Sequence, residues 1–174
     1  MTKKISPSRG MFALVDDEDY EWISGLGKWM AISCSGSFYA SRNTPRPQRK
    51  RGVPTVILMH RLIMGVFDVR GVEIDHINGN TLDNRRENLR FANRSQQAMN
   101  QKIRSDNTSG YRGVSYDNDL YDRKKRWVVE IHANGKKHRL GRYSTAEEAA
   151  RVYDRVAIEL HGDFSRLNFP KKET

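Results

Sequence analysis

Hydrophobic residues fall along this chain in short runs separated by polar loops. Met11-Phe12-Ala13-Leu14-Val15 predicts a buried strand. Asp16-Asp17-Glu18-Asp19 behind it supply an N-cap and an acidic first turn for a short helix carrying Tyr20, Trp22 and Ile23. Residues 29–33 and 38–41 predict two further strands around the turn residues Ser35-Gly36. Val56-Ile57-Leu58-Met59 reads as a strand passing into a short helix, His60-Arg61-Leu62-Ile63-Met64, ended by Gly65. A later apolar stretch ends at Asp75-His76, and the tight polar loop Asn78-Gly79-Asn80 follows. Residues 92–103 hold no Gly or Pro and predict a helix.

The clearest pattern lies further on. Residues 111–116, 126–132 and 137–143 alternate or favour β residues, and Asn134-Gly135 signals a type I′ hairpin between the last two. Ser144 with Glu147 and Thr145 with Glu148 form two overlapping capping boxes. Ala149, Val152, Tyr153, Val156, Ala157 and Leu160 then recur at helical spacing until Gly162. Three strands and one amphipathic helix predict a compact α+β module. Trp127, Val129 and Ile131 share the face expected to pack on the helix. Val128, Glu130 and His132 share the open face, which Lys137 and Arg139 of the next strand can line.

With 31 Lys and Arg against 21 Asp and Glu, the formal net charge is +10. That surplus points to a polyanionic partner, with nucleic acid ahead of an anionic membrane. Cys34 is the single cysteine, which excludes an internal disulfide or a cysteine-based zinc cage. Residues 1–7 are basic but lack the apolar stretch of a secretory signal, and no run is long enough for a transmembrane helix. A cytoplasmic protein is therefore expected. The segments separate by composition at 1–52, 53–104, a hydrophilic linker at 105–110, and 111–170. The proline-bearing basic loop at 44–52 is either a phosphate contact or a solvated turn.

Chemistry concentrates at Asp75-His76. A carboxylate can ligate a hard divalent ion, and an imidazole with an unperturbed pKa of about 6.5 can take a proton from water near neutrality. On a strand the two side chains face opposite ways, so Asp75 can hold metal while His76 faces incoming water. Asn88 can hydrogen-bond the loop backbone and keep His76 aimed. Arg85, Arg86 and Arg90 either clamp phosphate or pair with Glu87 and Asp83.

The stretch Asp75-His76-Ile77-Asn78-Gly79-Asn80, then Asp83-Asn84-Arg85, then Asn88-Leu89-Arg90, with His60-Arg61-Leu62 upstream, closely resembles the HNH endonucleases of phage and mobile elements. The resemblance covers roughly residues 10–103. It implies a ββα-metal core with one divalent ion, Mg²⁺ or Mn²⁺, Asp75 as ligand, His76 as general base and Asn88 as the loop-fixing residue. The second ligand is usually an Asn on the following helix. Here that position is Gln97, with Asn100 one turn later, and either amide can serve.

The segments Tyr111-Arg112-Gly113-Val114, Trp127-Val128-Val129-Glu130-Ile131 and Ser144-Thr145-Ala146-Glu147-Glu148-Ala149-Ala150, closing on Asn168-Phe169-Pro170, resemble the ethylene-response-factor (Apetala-type) DNA-binding domain. This resemblance covers about residues 111–170 and implies a sheet docked in the major groove. Arg112 matches a family contact position directly. Ser115 and Asp117 stand where Arg is usual, and His132, Lys137 and Arg139 replace typical contact residues.

The expectation is a monomeric, metal-dependent HNH endonuclease that nicks double-stranded DNA and is targeted by its C-terminal module. No membrane or protein partner is implied. The alternative is a non-cleaving, sequence-specific DNA-binding or transcriptional protein with a degenerate HNH core.

Overall fold

The structure, a computed structural model, describes residues 1–48, 51, 53–100, 103, 106–118, 124 and 126–170. It divides into two compact units, Met1–Arg94 and Ser95–Thr174. The α+β expectation holds: several small sheets and four α-helices make up the described residues.

In the first unit, β1 (Thr2–Ile5) pairs antiparallel with β2 (Ala13–Asp16). The strand starts later than the apolar run suggested. Ala13 and Val15 are fully buried, whereas Phe12 is half-exposed with the Lys4 ammonium 5.6 Å from its ring centre. α1 (Asp17–Gly25) follows with its acidic first turn, but Asp16 does not cap it through its side chain. That carboxylate accepts instead from the Arg86 main-chain N–H at 2.7 Å. β3 (Met30–Cys34), β4 (Ser37–Asn43) and β5 (Val56–Leu58) form an antiparallel sheet in that order. Its first turn needs positive φ at Ser35 (49°) and Gly36 (78°). Both ends of the loop from 44 to 55 are pinned where the Thr44 N–H donates to the Thr55 carbonyl at 2.9 Å. Arg49, Lys50 and Gly52 of that predicted basic loop lie outside the described residues.

α2 (Met59–Ile63) continues directly from β5, as the strand-to-helix pattern predicted. Arg61 of α2 donates to the carbonyls of Val66, Val69 and Val72, tying down the loop that leads to β6 (Glu73–His76). β6 pairs antiparallel with β7 (Leu89–Ala92), placing Asp75 opposite Arg90 and His76 opposite Leu89. The core gathers Val15, Ile23, Trp29, Met59, Ile63, Ile74 and Leu89 from all of these elements. Each such large side chain contributes roughly 1.5–3 kcal/mol by leaving water. The Trp29 indole N–H donates to the Ile23 carbonyl at 3.0 Å, so its polar handle is satisfied.

The helix predicted over residues 92–103 is shorter, α3 (Arg94–Met99). Ala92 is held in the β6–β7 ladder opposite Glu73 and cannot join it. Gln101 and Lys102 lie outside the described residues, as do Arg104 and Ser105 beside the predicted linker. The remainder of that linker is a hydrogen-bonded turn rather than a bare tether. Asn107 Nδ2 donates to the Tyr111 carbonyl at 3.0 Å, and Ser109 Oγ to the Val114 carbonyl at 2.7 Å.

In the second unit β8 (Val114–Tyr116), β9 (Trp127–Ala133) and β10 (Lys136–Tyr143) form an antiparallel sheet with β9 central. Asn134 and Gly135 take φ of 53° and 72°, as a type I′ hairpin requires. A bulge between Arg139 and Gly141 shifts the register. α4 (Ala146–His161) packs Ala149, Ala150, Tyr153 and Ala157 on Val114, Val129 and Ile131. Of the two possible caps Thr145 is used: its Oγ1 accepts from the Glu148 N–H at 3.1 Å, while Glu148 accepts from the Ser144 N–H at 3.3 Å. Val128 was expected on the open face; it lies there between Ser115 and Arg142 in register, yet is only 4% exposed.

Gly113 has φ of 69°, and a Cβ there would stand 2.1 Å from Tyr153 Cδ2 and 2.7 Å from the Glu130 carbonyl oxygen. Only glycine fits. The buried Asp154 of α4 accepts from the N–H groups of Asn168 and Phe169, each at 2.8 Å. Asn168 in turn accepts from the Arg112 N–H at 2.7 Å.

Candidate active site and nucleic-acid interface

The turn after His76 is built by its own asparagines. The Gly79 N–H returns to the His76 carbonyl at 2.8 Å, with Gly79 at a φ of 70°. Asn88 is 5% exposed and works in both directions. Its Oδ1 accepts from the Asn78 N–H at 2.9 Å, and its Nδ2 donates to the Asp83 carbonyl at 2.7 Å. Asn78 Nδ2 also donates to Asp83 Oδ2 at 2.9 Å. The loop bonds expected of Asn88 are therefore present, and they fix the stretch that follows His76.

Side chains alternate along β6 as expected, but the inner face belongs to His76. Sequence reasoning placed it toward incoming water; it is 4% exposed, because it shares the core-facing side of β6 with Ile74. Burial lowers its pKa, opposed by hydrogen bonding to Asn84 and by the Asp75 and Asp83 charges. The His76 ring meets His60 with centroids 5.0 Å apart and planes at 76°. Tyr39 of β4 stands 6.1 Å from His76 and 5.6 Å from His60. His60, 5% exposed, is pushed down to about 3 by burial first, then by His76 and Arg61. Sequence reasoning left the role of His60 open, gave Asn84 none beyond its place in the motif, and missed Tyr39; nothing in the local sequence marks Tyr39.

Asp75 faces the other way, into an ion pair. Arg90 donates to its Oδ2 from Nε at 2.9 Å and from Nη2 at 2.7 Å. The other two arginines expected at DNA are also matched with carboxylates. Arg85 donates to both oxygens of Asp83 at 2.8 Å and to Glu87. Its hydrogen bond is the main reason that Asp83 lies below the usual carboxylate range. Arg86 reaches the buried Asp19 through Nε and Nη2, both at 2.8 Å, while about half of its side chain stays exposed. Their pairing serves the scaffold, and only Arg86 keeps much open surface.

Gln97 lies half-buried in α3. Asn100 is 7% exposed in the turn after it, and its carbonyl accepts from Arg166 Nη1 at 3.0 Å. Among the described residues no group of three or more His, Cys, Asp or Glu gathers for a metal.

On the second unit, His132 and Lys137 are partners in the β9–β10 ladder, as are Glu130 and Arg139, and Val128 and Arg142. These side chains share the face turned from α4. Lys137 pairs with Glu130 at 2.7 Å. Asp117 pairs with Arg142 at 2.6 Å and with Arg139 at 3.6 Å. Arg142 was not anticipated, although its position on the next turn of the same alternation could have revealed it but for the bulge. Arg112 is elsewhere: it lines a cavity with Gly113, Tyr153 and His161, and burial holds its guanidinium below the usual range.

A braced loop thus follows the Asp75–His76 end of β6, on a chain with a formal net charge of +10. The HNH endonuclease family model matches residues 58–99, spanning α2 to α3. Protein 3.8 of Escherichia phage T7 is 36% identical over 98 residues, 56% of this chain and 77% of that protein. The chain belongs to the HNH endonuclease family. An uncharacterized HNH endonuclease, L560, of Acanthamoeba polyphaga mimivirus is 29% identical over 160 residues, 92% of this chain and 76% of that protein. The C-terminal region is similar in part to AP2/ERF proteins. Ethylene-responsive transcription factor ERF010 of Arabidopsis thaliana is 50% identical over 48 residues, about a quarter of each chain. No solved structure matches.

Proposed function

We propose that this protein is a DNA endonuclease that uses His76 as general base, nicks one strand, and is brought to the duplex by its C-terminal module. The observation that carries this reading is the Asn88-braced loop, which holds His76 at the end of β6 with an Asp beside it. Burial favours neutral His76, so the imidazole is ready to accept the proton of the attacking water. Asp75 offers the hard oxygen that Mg²⁺ or Mn²⁺ prefers, and the amide oxygen of Gln97 or Asn100 is the second ligand implied by the family resemblance. Such an ion, when bound, would supply Lewis-acid stabilisation of charge on a phosphate. Of Arg85, Arg86 and Arg90, Arg86 keeps the most open surface for a phosphate.

On the C-terminal module, His132, Lys137, Arg139 and Arg142 support docking on DNA through the open sheet face. Arg112 supports it through the edge of the cavity beside Tyr153. Supercoiled plasmid incubated with Mg²⁺ or Mn²⁺ tests the activity. Wild-type protein should relax it, and His76→Ala or a chelator should abolish the conversion. Supercoil persisting under both metals would end the nuclease reading.

One observation favours the second reading, a DNA-binding protein without cleavage. Arg90 Nε and Nη2 both donate to Asp75 Oδ2, so a cation at that oxygen must share it or displace them. Cation-independent duplex binding with no nicking is the result that selects it.

A further inference from the structure

Three rings meet at the proposed base, and each comes from a different element: Tyr39 from β4, His60 from α2 and His76 from β6. Tyr39 lies outside the residues that the family model matches. A general base works only in the orientation that directs its nitrogen at water, and an imidazole left to rotate about two side-chain bonds spends little time there. The loop bonds fix the His76 backbone, and a hydrogen bond with Asn84 tethers one point of its ring.

The ring contacts confine its faces and edges as well. His60 meets His76 at 5.0 Å and 76°, and Tyr39 meets it at 6.1 Å and 64°, both tilted arrangements that aromatic edges and faces favour. His60 and Tyr39 also touch each other at 5.6 Å, so neither can swing aside alone. His60 is buried at the start of α2, anchored by Met59 and Ile63 in the core. It stays neutral at any working pH, so the contact is ring against ring without an added charge. We infer that His60 and Tyr39 are positioning residues for His76, a bracket that holds the ring in the orientation hydrolysis requires. This rests on the nuclease reading above.

The test uses the full chain and four variants: His60→Phe and Tyr39→Phe, which keep a ring, and His60→Ala and Tyr39→Ala, which remove it. Single-turnover nicking, duplex affinity without metal, and the ¹H–¹⁵N signals of the His76 ring are measured for each. The alanine variants should lose at least about tenfold in single-turnover rate with affinity unchanged and with shifted His76 signals. The phenylalanine variants should stay within about threefold of wild type, which a role for the Tyr39 hydroxyl or the His60 nitrogens would not allow. Wild-type nicking by both alanine variants, or a fall in rate with unshifted ring signals, overturns the bracket. If His60→Ala does not fold, Tyr39→Ala, at a half-buried position, decides alone. If wild-type protein does not nick, the nuclease reading fails; the ring signals still judge the bracket, and unshifted signals in the alanine variants overturn it.

Discussion

Arg90 and Asp75 face one another across β6 and β7, and the guanidinium sends two hydrogens to a single carboxylate oxygen. Both side chains are mostly buried, at 15% and 11% exposure. Removing one member of such a pair strands the other's charge, which costs about 3–5 kcal/mol. Arg90→Gln should therefore lower the melting temperature of the first unit. Mn²⁺ should recover more of the loss in the variant than it adds to wild type, because the cation replaces the missing positive charge. Thermal unfolding with and without Mn²⁺ checks both; equal metal shifts would remove Asp75 from the cation site.

The buried Asn88 side chain makes two hydrogen bonds, accepting from the Asn78 N–H and donating to the Asp83 carbonyl. Asn88→Ala should cost about 2–3 kcal/mol in urea unfolding. It should also slow nicking by more than about tenfold, since the loop no longer fixes His76. Asn88→Asp keeps an acceptor for the Asn78 N–H but loses the donor to Asp83, so it should fall between the two.

Acid should loosen the first unit early. His60 titrates near 3 when folded against an ordinary 6.5, and His76 is lowered in the same direction. Below 6.5 the unfolded chain takes up protons that the folded protein refuses, so the stabilisation is whole above about 6.5 and drains away toward 3. Each histidine contributes a slope of up to roughly 1.4 kcal/mol per pH unit. His60→Phe should flatten the pH dependence of denaturant midpoints across that window. A profile identical to wild type would show that His60 is not held neutral.

Gly113→Ala sets a Cβ against the Tyr153 ring and the Glu130 carbonyl in a left-handed backbone. Loss should exceed about 3 kcal/mol, enough to reduce α4 packing on the sheet. Near-wild-type amide exchange protection in β9 would contradict the close approach.

Asp117 holds Arg139 and Arg142 on the open sheet face. Asp117→Asn should strengthen duplex binding severalfold and steepen its salt dependence, because released arginines can displace counterions. Lys137→Ala should do the reverse. Affinity titrations at several salt concentrations distinguish this from a face that never meets DNA, for which neither slope changes.

Much of this was legible in the chain because local rules carry it. Asn134-Gly135, the Thr145–Glu148 cap and the alternation of β9 place the second unit's elements without tertiary information. Asn88 was legible too, since a loop rich in backbone donors needs a buried amide. What escaped depends on distance in the chain. Tyr39 reaches His76 only because β4 and β6 converge on one core, and Asp19 claims Arg86 across 67 residues. The inward turn of His76 escaped because Asp-His alternation assigns opposite faces but cannot say which is the core's. At β10 the bulge breaks a period-two pattern, so Arg142 was passed over.

Asp154 acts as a buckle. By gripping Asn168 and Phe169 while Asn168 grips Arg112, it brings the strand that opens the second module's sheet and the segment that follows its helix to one point. A unit whose way in and way out lie side by side can be spliced beside an unrelated partner without disturbing its own interior.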